Sequence, residues 1–185
     1  MFKYVSDVSI LAHNIIKSYV EDKNIAIDAT LGNGYDCDFL SSYFKKVYAF
    51  EIQKEACEKY IDKNNNVKII NESHHKIDEF INEEVNCICY NLGYLPGGNK
   101  DITTLAETSL KSIQIALNLL AQNGLMTIAI YRGHNEGKEE ESCILKYLRT
   151  LPKNKYGVML HECINRSNVS PLLVVVEKKW YILEL

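Results

Sequence analysis

Three short segments of this 185-residue sequence combine residue types and spacing that can do chemistry. The first, Ile27-Asp28-Ala29-Thr30-Leu31-Gly32-Asn33-Gly34-Tyr35-Asp36, passes from an apolar run through two glycines into helix-like spacing. Glycines at such a turn allow positive φ and close approach of the backbone to a ligand. A dinucleotide fingerprint requires a third glycine three positions after the second, and Cys37 stands there, so a pyrophosphate is not the expected ligand. Glu51 lies 17 residues beyond Gly34, about where a carboxylate accepts both ribose hydroxyls of an adenosine. In the second segment, Asn91-Leu92-Gly93-Tyr94-Leu95-Pro96-Gly97-Gly98, an amide precedes an aromatic by three positions. An amide oxygen that accepts an amine N–H holds the nitrogen lone pair in line for attack, and an aromatic face packs on a base. The third segment is Tyr131-Arg132-Gly133-His134. His134 can accept a proton near neutral pH or serve as a hydrogen-bonded support, and Arg132 can hold a phosphate or base edge bidentately. Glu136 and the run Glu139 to Glu141 read as a solvated helix face with favourable N-terminal charge.

The elements that must position these segments alternate. Apolar runs at Ile25–Ala29, Val47–Phe50, Val67–Ile70, Asn86–Tyr90, Leu125–Tyr131, Val158–Ile164 and Leu172–Val176 read as strands. Helical spacing falls between the first five, at Asp36–Phe44, Gln53–Asn64, Lys76–Asn82 and Leu105–Ala121. Asn123-Gly124 is placed to close the last of these. A further helix is expected over Glu136–Leu151, and another over Val5–Tyr19 with Val8, Leu11, Ala12, Ile15, Ile16 and Tyr19 on one face. Unbroken apolar strands arise where helices cover both faces of a sheet. The fold class is therefore α/β, a seven-stranded, mostly parallel sheet ending in an antiparallel hairpin, in one domain over 1–185. All three segments then fall at the carboxyl ends of strands, where such sheets bind ligands.

Composition excludes other classes. The 21 Lys and Arg against 24 Asp and Glu leave a net charge of −3, so any nucleic-acid contact must be local. The six cysteines form no CxxC pair, which suits reduced thiols in a cytoplasm. No apolar run approaches the ~20 residues of a membrane helix, and the N-terminus lacks a cleavable signal pattern. His74 and His75, adjacent on an extended segment, point oppositely and do not suit one metal, so no metal is expected.

Asp28, the GxG turn and Glu51 together resemble the S-adenosylmethionine site of Rossmann-like class I methyltransferases, whose donor is a sulfonium cation without phosphate. Asn91 and Tyr94 are similar to the NPPY-type motif of amino-group methyltransferases, with Leu92 and Gly93 in place of the two prolines. More specifically, DATLGNGYDCDFL, YAFEIQ, ESHH, NLGYLPGG, the stretch from Thr103 to Ile113 and IYRGHNEGKEE resemble, in order and spacing, a small bacterial methyltransferase family catalogued as ribosomal-RNA methylases. That family includes a tRNA 5-aminomethyl-2-thiouridine methyltransferase. The resemblance implies S-adenosyl-L-methionine as cofactor and the aminomethyl nitrogen of a tRNA wobble uridine as acceptor; the alternatives are ribosomal RNA or a small-molecule amine as acceptor at the same cofactor site, or a nucleotide-binding module without catalysis. It also implies a cofactor site of Asp28, Gly32, Asn33, Gly34, Asp36, Glu51, Gln53, Ser73, His74, Asn91 and Gly93. Relatives carry a small polar residue where this chain has Leu31.

Under that reading Asn91, Tyr94 and His134 form the catalytic set, with Tyr94, His134 or water as proton relay. The partner is a tRNA anticodon loop, whose single-stranded base can stack on Tyr94. Phosphates would be met by Lys100, Arg132 and Lys138, with Lys153 and Lys155. So small a chain has no separate RNA-binding domain, and a homodimer could offer a composite groove, though no residue of the sequence fixes the oligomeric state.

Overall fold

A computed structural model describes residue 2 and residues 4–95, 97–98 and 102–179. Lys100 and Pro96 lie outside the described residues. The strands β1 (Ile25–Asp28), β2 (Lys46–Phe50), β3 (Val67–Ile70), β4 (Val85–Leu92), β5 (Leu120–Ile130), β6 (Tyr156–His161) and β7 (Leu172–Lys178) form one sheet in the order β3-β2-β1-β4-β5-β7-β6. The first five are parallel, and β7 runs antiparallel between β5 and β6. This is the expected mixed sheet with its terminal antiparallel pair. No helix among the described residues is long and apolar enough to cross a membrane.

Both faces are covered, which explains the unbroken apolar strands. Ile88, Tyr90 and Leu92 of β4 join one core with Ile27, Phe50, Ile113 and Ile144, while Cys87 and Cys89 join the other with Ala26, Leu40 and Val47. Successive side chains thus enter opposite cores, and each fully buried Ile or Leu stabilises the fold by about 1.5–3 kcal/mol relative to exposure. The helices α2 (Tyr35–Tyr43), α3 (Lys54–Tyr60), α4 (Ile77–Phe80), α5 (Ala106–Leu119) and α6 (Asn135–Leu148) supply the layers. All six cysteines are free thiols.

Element ends depart from the sequence reading for local reasons. The helix α1 starts at Val8 and ends at Tyr19, because Asp7 caps it by accepting the Ser9 N–H at 2.9 Å. Its buried stripe is Val8, Ala12 and Ile16, whereas Tyr19 is exposed. Asp62, in left-handed backbone at φ 61, stands beyond the early end of α3. A 3-10 turn at His74–Lys76 runs into the single turn of α4. Asn123-Gly124 does not close α5. The helix ends at Leu119, Leu120 already pairs with Val85, and the ladder resumes at Leu125 with Cys87. The intervening residues bulge, with Asn123 at φ 58. Leu120 gains complete burial by leaving the helix.

Candidate active site

The turn after β1 is built on hydrogen bonds to its neighbours. Thr30 Oγ1 accepts the Asn91 N–H at 2.8 Å, tying the turn to the end of β4. Glu51 clasps two segments: Oε2 accepts the Gly32 N–H at 3.0 Å and Oε1 accepts the Gln53 N–H at 2.8 Å. Gly34 caps α2 at φ 84, and an added Cβ there would stand 2.3 Å from the Tyr60 ring. Glycine is therefore required at this position by the backbone and by Tyr60, and Gly34 does not line the cavity described below. Asp28 is likewise displaced from its expected role. It is fully enclosed beneath the turn, with Oδ1 accepting the Thr30 N–H at 3.0 Å. Burial, and then the charge of Asp36, push its carboxyl well above the usual range. It supports the wall and does not reach it.

At the end of β4 the Asn91 side chain donates both amide hydrogens, to Asp36 Oδ2 and Ser9 Oγ at 3.1 Å each. Asp36 Oδ1 accepts from His13 Nε2 at 2.6 Å. Tyr94, 41% exposed, bridges to Thr103 and packs edge-on against His134 with ring centroids 5.8 Å apart. His134 Nε2 lies 3.4 Å from Thr103 Oγ1. The Thr104 N–H donates to Gly93 O at 3.2 Å. Thr104 and Ser109 hydroxyls donate to Glu140 at 2.8 and 2.6 Å.

Glu140 corrects the reading of the acidic run as solvated. It is completely buried, and burial raises its carboxyl above the usual value. It lies on the buried stripe of α6 with Gly137, Ile144 and Leu148. Glu141 is also engaged, pairing with Arg132 at 3.0 Å. Arg132, only 7% exposed, further binds Glu162 at 2.7 Å and Ser170 O at 2.8 Å. These partners take three of its five N–H groups and two carboxylates neutralise its charge, so the buried Arg132 clamps α6 to the β6–β7 connection and does not present itself to a phosphate. Lys138 is exposed on α6 away from the cavity wall. Lys153 and Lys155 precede β6, whose start pairs with the end of β7 and so lies at the opposite sheet edge.

The loops enclose a cavity of about 770 Å³, ordinary for a small-molecule site. Gly32, Asn33, Asp36, Glu51, Gln53, Ser73, His74, Asn91, Gly93, Tyr94 and His134 all line it, which brings together most of the residues expected there. Burial, then His75, holds the His74 imidazole down at about 4, so it is neutral at neutral pH. Asp36, Glu51 and Glu72 give the wall three carboxylates, and no Lys or Arg lines it among the described residues. Such a wall repels phosphates and suits a cationic ligand with hydroxyls for Glu51 to accept. Ser9, His13 and Glu140, which stand behind the wall, are supporting residues that local motifs did not reveal.

Residues 47–177 match the family model described as "Putative rRNA methylase". The chain belongs to this family. An Arabidopsis thaliana protein named tRNA (mnm5s2U34)-methyltransferase, chloroplastic, is 32% identical over 188 residues, covering 91% of this chain and 68% of that protein. A structure from Clostridium thermocellum, described as a "putative rRNA-methylase", is 34% identical with TM-score 0.88, covering 94% of this chain and 98% of that one. A methyltransferase structure from Streptococcus mutans, in complex with SAH, is 34% identical with TM-score 0.85, covering 94% of this chain and 99% of that one. The methylase-family chain has the Rossmann-like methyltransferase fold, and it is a methyltransferase.

Proposed function

We propose that the enzyme transfers a methyl group from S-adenosyl-L-methionine to the aminomethyl nitrogen of 5-aminomethyl-2-thiouridine at the wobble position of tRNA. The observation that carries this reading is Asn91, an amide with both of its hydrogens already engaged, on the wall of a cavity that no Lys or Arg lines among the described residues. That arrangement leaves its carbonyl oxygen to accept an amine N–H. The name of the Arabidopsis relative supports the tRNA acceptor, and the SAH bound by the Streptococcus relative supports the donor.

The residues present fit the donor. All six residues of the expected donor site line the cavity: Glu51 and Gln53 would meet the ribose and adenine, Ser73 and neutral His74 would flank the adenine, and Asn33 and Asp36 would hold the amino-acid tail. When bound, the donor supplies an already activated sulfonium methyl. The protein's task is then alignment, which contributes up to about 7–11 kcal/mol. Asn91 orients the amine, and Tyr94 at the cavity mouth offers a face for a splayed base. The amine must shed a proton before it attacks. Of the two imidazoles on the wall, His74 is a poor acceptor at neutral pH, so His134, packed on Tyr94, takes the relay role with water.

Lys138 remains a candidate phosphate contact, with Lys100 outside the described residues. The exposed Val158, Met159 and Leu160 on the edge strand β6 support the homodimer reading, which sedimentation measures directly. A cytoplasmic tRNA pool is the proposed setting, in keeping with the six free thiols. The reading is tested by incubating the protein and S-adenosylmethionine with tRNA carrying the aminomethyl group, then analysing nucleosides by mass spectrometry. A 14-dalton gain on the wobble uridine is the expected product. Methylation confined to ribosomal RNA or to free amines would replace the tRNA assignment.

A further inference from the structure

We propose that Ser9 and His13, on the helix preceding the sheet, are positioning residues that hold the Asn91 amide with its carbonyl oxygen toward the incoming amine. The inference rests on the amine-methylating reading above. A primary amide has a donor end and an acceptor end. An amine about to be methylated must give an N–H to the acceptor end and keep its lone pair for the methyl carbon. If the amide turned over, its NH2 would donate to that lone pair and block attack.

Three contacts oppose the turn. Asp36, an acceptor-only carboxylate, takes one Asn91 hydrogen at 3.1 Å, and Ser9 Oγ takes the other at 3.1 Å. Asp36 is itself fixed, because its second oxygen accepts from His13 Nε2 at 2.6 Å. His13 is held in turn by parallel stacking on Phe39, with centroids 3.9 Å apart and an interplanar angle of 7°. The helix delivers Ser9 and His13 from one side, i and i+4, while Val8, Ala12 and Ile16 anchor it. Ser9 and Asn91 are 82 positions apart in the chain, so the amide's orientation is a product of tertiary structure. Neither Ser9 nor His13 lines the cavity; both act through Asn91 and Asp36.

The test is a double-mutant cycle by single-turnover methylation of aminomethyl-bearing tRNA, with Ser9→Ala and His13→Ala each made in the native and the Asn91→Ala backgrounds. In the native background each should slow methyl transfer about 5- to 10-fold, the size expected from one orienting hydrogen bond, with the KM for tRNA unchanged. In the Asn91→Ala background neither should add more than about 2-fold, because the group they position is gone. Ser9→Thr, which keeps the hydroxyl, should restore the native rate. Equal losses in both backgrounds, or a folded Ser9→Ala enzyme with native rate, would overturn the proposal. If His13→Ala fails to fold, the Ser9 arm decides alone. A native enzyme that leaves the wobble amine unmethylated would instead refute the substrate reading and take this inference with it.

Discussion

Asp28 combines complete burial with a carboxyl oxygen, Oδ2, that has no hydrogen-bond partner among the described residues, and both Asp36 and Glu51 add like charge nearby. Its carboxyl is raised above the ordinary 3.8, so the folded state holds a proton that the unfolded chain releases. The linked stability is complete below that ordinary value and is lost as pH rises through the raised one. Asp28→Asn should therefore flatten the decline of Tm with pH from about 4 upward; superimposable melting profiles would refute this account. Glu51 poses a different case, since its two oxygens hold the turn after β1 and the segment after β2 together. Glu51→Ala should weaken SAH binding by roughly 10- to 100-fold in calorimetry, the loss of one or two charge-assisted hydrogen bonds. Residues such as Glu51 and Asn91 could be read from the sequence because neighbouring glycines and strand ends mark them. Ser9, His13 and Glu140 could not be placed that way: their partners are 82, 23 and 31 positions distant.

Among the elements, the passage from β1 to α2 is the most constrained. Gly34→Ala would have to accept left-handed backbone and a Cβ 2.3 Å from the Tyr60 ring, destabilising the protein by about 2–4 kcal/mol. Thermal melting checks this, and Tyr60→Ala in the same chain should relieve only the steric part. On α6, Glu140→Ala should loosen the Thr104 and Ser109 contacts and lower Tm, since two buried hydroxyls lose their acceptor. Strand identity was legible because two covering layers impose apolar runs. Strand and helix limits were less so: Leu120 reads as a helix residue, yet its burial against the sheet prevails over one more helical position. Arg132 was misread for a related reason, as isolated arginines look like ligand groups until Glu141 and Glu162 are seen beside it.

For the molecule as a whole, a net charge of −3 coexists with a polyanionic partner in the proposed function. Binding of tRNA must then rest on few phosphate contacts, and its affinity should fall with added salt while SAH affinity stays nearly constant. Filter binding across a salt series separates the two. The carboxylate-lined cavity should likewise ignore NADH or ATP at concentrations that saturate with SAH, measured by displacement. The β7 position in the sheet carries a last consequence. As β6 pairs with β7 alone among the described residues, a chain emerging during synthesis presents β6 before that hydrogen-bonding neighbour exists. Until β7 inserts, both β5 and β6 offer bare backbone edges to other nascent chains. After a single cut in the 162–171 connection, β6 would be held by its ladder to β7 and by the grip of Arg132 on Glu162, with Ser170 bound to the same guanidinium on the far side of the cut.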